Sequence, residues 1–186
     1  MKYWTLPGLA GSEETHWQSI WEKQNPALFE RVEQDNWDWP VMEDWTARLQ
    51  ARLAEGTEPV ILIAHSLGCI TTVWWSKKFF SARVKGALLV APADAELSRR
   101  LSFVEGFTPI PAEPLPFPTI VVASTDDIYM SIDRAEHFAT VWGSEFVNVG
   151  NKGHINASSG LGDWKEGKEI LTRLTQKISG TKAEWA

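Results

Sequence analysis

The sequence predicts an α/β fold, with one mostly parallel sheet and helices on both of its faces. Three observations carry this. Residues 60–64 form an unbroken apolar run that ends on a turn, as a strand buried on both faces does. Residues 84–90 and 119–123 are further apolar runs of strand length. Between these runs, apolar residues recur every three or four positions, the spacing of helices packed on one side. Strands alternating with helices imply a parallel sheet, whose ligands bind beyond the carboxyl ends of the strands.

Taken in order, residues 2–6 read as a first strand and Pro7-Gly8-Leu9-Ala10-Gly11-Ser12 as a glycine-containing turn. Residues 16–23 carry Trp17, Ile20 and Trp21 at helical spacing, and residues 29–32 form a short strand. The polar and aromatic stretch 35–40 is a loop. Pro40 suits the first turn of a helix running to about residue 54, with Met42, Trp45, Leu49 and Leu53 on one face and Gly56 closing it. Pro59 precedes the central strand, and the helix after Ser66 carries Ile70, Val73, Trp74 and Lys77 on one side. Residues 93–100 are expected to form a short helix. Prolines 109, 111, 114, 116 and 118 exclude regular structure from residues 107–118. A helix over 131–142, a strand over 145–149 and a last helix over 163–178 follow, with 179–186 as a frayed tail. No repeat, low-complexity stretch or linker divides the chain, so residues 1–186 are expected to form one domain.

Composition narrows the function. A hydrophobic share of 44% with 23% charged residues is ordinary for a soluble globular protein. The net charge of −6 argues against nucleic acid, whose phosphates need clustered Lys and Arg. No apolar run approaches the length that spans a bilayer, and the start shows no signal peptide. One cysteine excludes an internal disulfide and fits a reducing, cytoplasmic setting. The sequon Asn156-Ala157-Ser158 is then a chance match. No Cys/His cluster points to a metal and no phosphate-cradling Gly-Lys-Ser/Thr string to a nucleotide, so no cofactor is expected. The eleven tryptophans serve a small core or line a pocket.

The turn after the central strand carries the chemistry. Ala64-x-Ser66-x-Gly68 between strand and helix has the form of a nucleophile elbow, with Ala64 where Gly is usual. A serine hydroxyl needs a base, a group that holds the base, and donors for the oxyanion. Two histidines lie downstream. His137 falls within a helical segment, whereas His154 follows the last strand in a glycine-flanked loop, which favours it as the base. The acid should follow residues 119–123, where Asp126 and Asp127 are hardly separated by spacing; both could also serve only as turn or cap residues. Leu67, at the helix N-terminus, should give one oxyanion N–H, and Leu9, after the turning Gly8, the second. Cys69 reads as a small core residue, and His65 as a structural elbow residue pointing away from Ser66. His16, Trp17, Trp37, Trp39 and Phe107, with the proline-rich segment, are candidates for the pocket wall.

With these residues in view, the chain resembles the small serine hydrolases of the retinoblastoma-binding protein nine and YdeN-like type, within the α/β-hydrolase superfamily. The resemblance runs through Pro7-Gly8, His16-Trp17-Gln18, Gln34-Asp35, Ala64-His65-Ser66-Leu67-Gly68, Leu115-Pro116-Phe117-Pro118, Ser124 with Asp126-Asp127, Trp142-Gly143 and Gly153-His154-Ile155-Asn156. It implies a compact α/β-hydrolase fold without a large lid domain, with Ser66 as nucleophile, His154 as base and Asp127, the second carboxylate of its pair, as acid. Ile128 stands where such proteins often have proline. The expected function is a serine hydrolase cleaving a small ester or amide, with a small-molecule acyl substrate. An acyltransferase on the same triad and a non-catalytic protein-interaction module are the alternatives; no feature of the sequence marks a protein partner.

Overall fold

The computed structural model describes residues 1–180. Six strands form one sheet: β1 (Lys2–Leu6), β2 (Phe29–Arg31), β3 (Val60–His65), β4 (Val84–Val90), β5 (Thr119–Ala123) and β6 (Glu145–Asn148). Their order is β2-β1-β3-β4-β5-β6, and every pairing is parallel. Five helices connect or follow them: α1 (Trp17–Gln24), α2 (Met42–Ala54), α3 (Leu67–Lys78), α4 (Ile132–Val141) and α5 (Lys165–Ser179). Ser179, expected in a frayed tail, ends α5; residues 181–186 of that tail lie outside the described residues.

Side chains alternate across the sheet as period-two strands require. Trp4, Leu6, Leu62, Ala64, Leu89 and Val121 face one way, into a core closed by α2, α3 and α4. Tyr3, Ile61, Ile63, Leu88, Val90, Ile120 and Val122 face the other way, against α1 and α5. The face of α2 read from its spacing, Met42, Trp45, Leu49 and Leu53, is buried. Truncating Leu49 to Ala would cost about 2–5 kcal/mol through lost burial and the cavity left behind.

Two local expectations change. Pro40 lies outside α2, whose cap is Val41, because the entering chain pairs instead with the 105 region: the Met42 N–H donates to the Glu105 carbonyl. Residues 93–100 form no α-helix; only a 3-10 turn over Arg99–Leu101 occurs. The buried Asp94 carboxylate accepts the Glu96 and Leu97 N–H groups and is gripped by Arg134 from α4. This is helix-cap geometry, and the Ser98 N–H closes one turn on the Asp94 carbonyl at 2.9 Å, but the turn does not continue into a helix.

The chain runs from β1 outward to β2, then returns past β1 to β3 and continues to the other edge. The order therefore reverses between β1 and β3, and their carboxyl ends open the crevice where such sheets bind ligands. Among the described residues no helix is long and apolar enough to cross a membrane.

Candidate active site

Ser66 caps α3 at the end of β3 with φ +56° and ψ −123°, a backbone state that non-glycine residues rarely adopt. The turn fits because glycines stand on both sides of it. A Cβ on Gly68 would lie 2.1 Å from the Leu6 carbonyl oxygen, and one on Gly8 2.6 Å from the Ser66 Cβ. The close approach at this elbow is thus to the end of β1. Ala64 sits on the buried side of β3, in register with Leu6 and Leu89.

The loops after β5 and β6 meet the elbow. His154 Nε2 lies 2.8 Å from Ser66 Oγ, and His154 Nδ1 lies 2.8 Å from Asp127 Oδ2 and 3.0 Å from Oδ1. Asp127 Oδ1 also accepts the Tyr129 N–H at 2.8 Å, and the Tyr129 ring packs on His154 with centroids 4.3 Å apart. The Asp127 carboxylate and the imidazole are almost closed off from solvent. Donation from Nδ1–H to the carboxylate leaves the Nε2 lone pair facing the hydroxyl, the tautomer a general base needs.

Asp126 does a different job. Its Oδ1 accepts the Ser124 hydroxyl and the Gly153 N–H, each at 2.7 Å, while Ser124 Oγ accepts the Lys152 N–H at 2.9 Å. Bonding from Ser124 and then Gly153 holds this carboxyl below its ordinary range. It ties the residues just before His154 to the end of β5.

A cavity of about 280 Å³ opens on Ser66 and His154. Leu9 and His16 from the first loop, Leu101, Tyr129 and Asn156 line it. His16, a candidate for the pocket wall, lines this cavity. Its Nδ1 accepts the Gln18 N–H as the cap of α1, and burial, then Arg31 and His154, lower its pKa to about 3, so the ring stays neutral. Leu9 also lines the cavity, and Leu67 is the first residue of α3, whose N–H has no partner within the helix.

The other expected wall residues are elsewhere. Trp17 and Phe107 are buried in the two cores, and Trp37 packs on Trp45 beneath Gly11. Trp39 is 67% exposed, against Phe103. Residues 107–118 do not reach the cavity; Pro111 accepts the Trp142 indole N–H and Ile110 is buried. Trp17 is held in the core with its area buried and its indole N–H donated to the Ile155 carbonyl. His137 is exposed on α4. Cys69 is buried with its Sγ at the Val90 carbonyl, and burial raises its thiol pKa well above the ordinary value.

His65, Leu101, Tyr129 and Asn156 were not anticipated at the cavity. His65 was expected to point away from Ser66, yet it lines the same cavity and its Nε2–H donates to the His154 carbonyl at 2.9 Å. That contact spans 89 positions of sequence and leaves no local signal. Among the described residues no group of three or more His, Cys, Asp or Glu could hold a metal ion.

Comparison with known proteins agrees with this architecture. The serine hydrolase family model matches residues 3–173. A YdeN-like hydrolase of Pectobacterium atrosepticum is 35% identical, with a TM-score of 0.85 over 95% of this chain and 91% of that one. The ydeN gene product of B. subtilis has 22% identity and a TM-score of 0.79, covering 94% of this chain and 98% of its own. A monoacylglycerol lipase of Paleococcus ferrophilus shares the fold at 14% identity and a TM-score of 0.65, covering 96% and 94%. No curated protein matches the chain. The chain belongs to the serine hydrolase family and has the α/β-hydrolase fold.

Proposed function

We propose that this serine hydrolase cleaves a small carboxylic ester, or a small amide, through an acyl-enzyme on Ser66. The observation that carries the reading is the unbroken chain of hydrogen bonds from Asp127 through His154 to Ser66 Oγ, opening on a cavity. Ser66 Oγ attacks the substrate carbonyl carbon while His154 Nε2 takes its proton. The imidazolium that forms is stabilised by the Asp127 carboxylate, which also fixes the ring's tautomer. The oxyanion falls to the N–H groups of Leu67 and Leu9, the former at the positive end of α3. Collapse breaks the bond to the leaving group, which takes the proton from His154. Water then attacks the acyl carbon, His154 takes its proton, and the acid departs as Ser66 Oγ recovers the proton.

The cavity volume of about 280 Å³ favours short acyl groups. Lipase and esterase names among the structural neighbours fit ester cleavage, although those proteins share only the fold with this chain. The test is covalent labelling by a fluorophosphonate together with hydrolysis of p-nitrophenyl acetate. Wild type should do both, while Ser66→Ala and His154→Ala should do neither and remain folded. Turnover retained by Ser66→Ala would end the proposal.

A further inference from the structure

Two consecutive carbonyls of the loop that carries His154 are held by buried side chains from distant parts of the fold. His65 Nε2–H donates to the His154 carbonyl at 2.9 Å, and Trp17 Nε1–H donates to the Ile155 carbonyl at 2.8 Å. A carbonyl only accepts, so the first bond fixes the proton of neutral His65 on Nε2. Burial, with His16 and His154 nearby, keeps that ring neutral.

The backbone between these anchors is strained. Ile155 has φ +48°, in the left-handed region, where a β-branched residue is an outlier. Such a state costs on the order of 1–3 kcal/mol and persists only where its surroundings over-determine it. Here they do. The Ile155 side chain is fully buried, and Trp17 packs on both Trp21 and Trp164, at 4.7 and 5.0 Å between ring centroids. Trp21 in turn donates its indole N–H to the Asp163 carbonyl at 2.8 Å. On the other side of His154, Asp126 and Ser124 hold the N–H groups of Gly153 and Lys152. The base loop is therefore fixed from β5 before His154, and from α1 and β3 after it.

We propose that Trp17 and His65 are positioning residues for the base: by holding the Ile155 and His154 carbonyls they keep the strained loop in the one conformation that sets His154 Nε2 on Ser66 Oγ. This rests on the reading of His154 as the base. Trp17 does not line the cavity; it meets the site through the loop and through the His16 and His65 rings, with centroids 5.2 and 6.2 Å away. A displacement of an ångström at a reacting group costs on the order of 10²-fold in rate, so a loosened loop should be read directly in turnover.

The experiment compares Trp17→Phe, which deletes one N–H and keeps a ring, with Trp45→Phe. Trp45 is equally buried in the opposite core and donates its indole N–H to the Asn36 carbonyl at 3.1 Å, so it controls for the loss of a similar bond. Trp17→Phe should lower kcat on p-nitrophenyl acetate about tenfold, with little change in KM, and slow fluorophosphonate labelling in proportion. Trp45→Phe should leave both rates in place. His65→Leu should lower kcat by about 10–100-fold, and His65→Gln, whose amide can donate to the same carbonyl, should recover most of the loss. A Trp17→Phe protein with wild-type rates, an equal fall in Trp45→Phe, or identical losses in His65→Leu and His65→Gln would overturn the proposal. A second readout needs no turnover: the downfield proton signal of the His154–Asp127 bond, absent in His154→Ala, should shift or broaden in Trp17→Phe and not in Trp45→Phe. A wild type that neither labels nor turns over would defeat the hydrolase reading, while this signal would still decide whether Trp17 seats the imidazole.

Discussion

Gly8 and Ser66 are in such close contact that a Cβ on Gly8 would lie 2.6 Å from the serine Cβ and 3.0 Å from its Oγ. Real Cβ atoms do not approach so closely, so Gly8→Ala must push the elbow or the first loop aside. We expect kcat on p-nitrophenyl acetate to fall on the order of 10²-fold in a protein that still folds. A Gly8→Ala enzyme with wild-type turnover would mean that Ser66 is not held where the reaction needs it. Gly68→Ala meets the Leu6 carbonyl itself, which cannot swing away, and should lose about 1–3 kcal/mol of stability in urea unfolding.

The two neighbouring aspartates should separate cleanly by kinetics. Asp127→Asn places an amide against His154 Nδ1 and favours the wrong tautomer, so kcat should drop by about 10⁴-fold. Asp126→Asn keeps an oxygen that can accept from Ser124 and Gly153, and its effect should stay within about tenfold, since only the seating of the loop is loosened. Equal losses at both positions would remove the distinction drawn between holding the imidazole and holding its loop.

Acid sensitivity should have a contribution from His16. Its folded pKa is lowered to about 3 from an ordinary 6.5. Below pH 6.5 the unfolded chain takes up a proton that the folded one refuses. The stability this supplies is therefore complete above pH 6.5 and is lost as pH falls toward 3. His65 acts in the same direction. His16→Asn retains an N-cap acceptor for α1 and has nothing to titrate. Between pH 6.5 and 3 its stability should fall less steeply than that of wild type, by up to about 1.4 kcal/mol per pH unit. Parallel curves for the two proteins would refute this.

Substrate size should respond to the cavity and not to the exposed aromatic pair. Trp39 stands in solvent against Phe103, away from the cavity lining, so Trp39→Ala should leave kcat/KM for acetyl and butyryl esters within about twofold, as surface changes commonly do. Leu101 is buried at the cavity wall. Leu101→Trp should penalise the butyryl ester more than the acetyl ester, by about tenfold in the ratio of kcat/KM, the scale on which a filled apolar pocket discriminates. An unchanged ratio would place the acyl group elsewhere.

The fold and the outline of the candidate site are legible because their signals are local. Period-two and period-3.6 patterning, proline placement and the small residues around Ser66 concern neighbours a few positions apart, and they place the six strands and five helices of the sheet within a few residues. The same locality explains the expected helix over 93–100: the composition allows it and Asp94 caps a turn there, but only that single turn and the 3-10 turn over Arg99–Leu101 form.

What only the tertiary structure decided is which side chains meet. Spacing could not choose between Asp126 and Asp127; the path of the loop after β6, 27 residues on, gives one the imidazole and the other a backbone N–H. An aromatic ring reads alike whether it fills a core, lines a pocket or stands in solvent, so only the structure puts Trp17 and Phe107 in the cores, Trp37 on Trp45 and Trp39 in solvent. His65 and Trp17 reach their carbonyls across 89 and 138 positions. A residue's type and local period determine what it can bond. Its partner is determined by chain closure over such distances, where every contact depends on the packing of the whole domain.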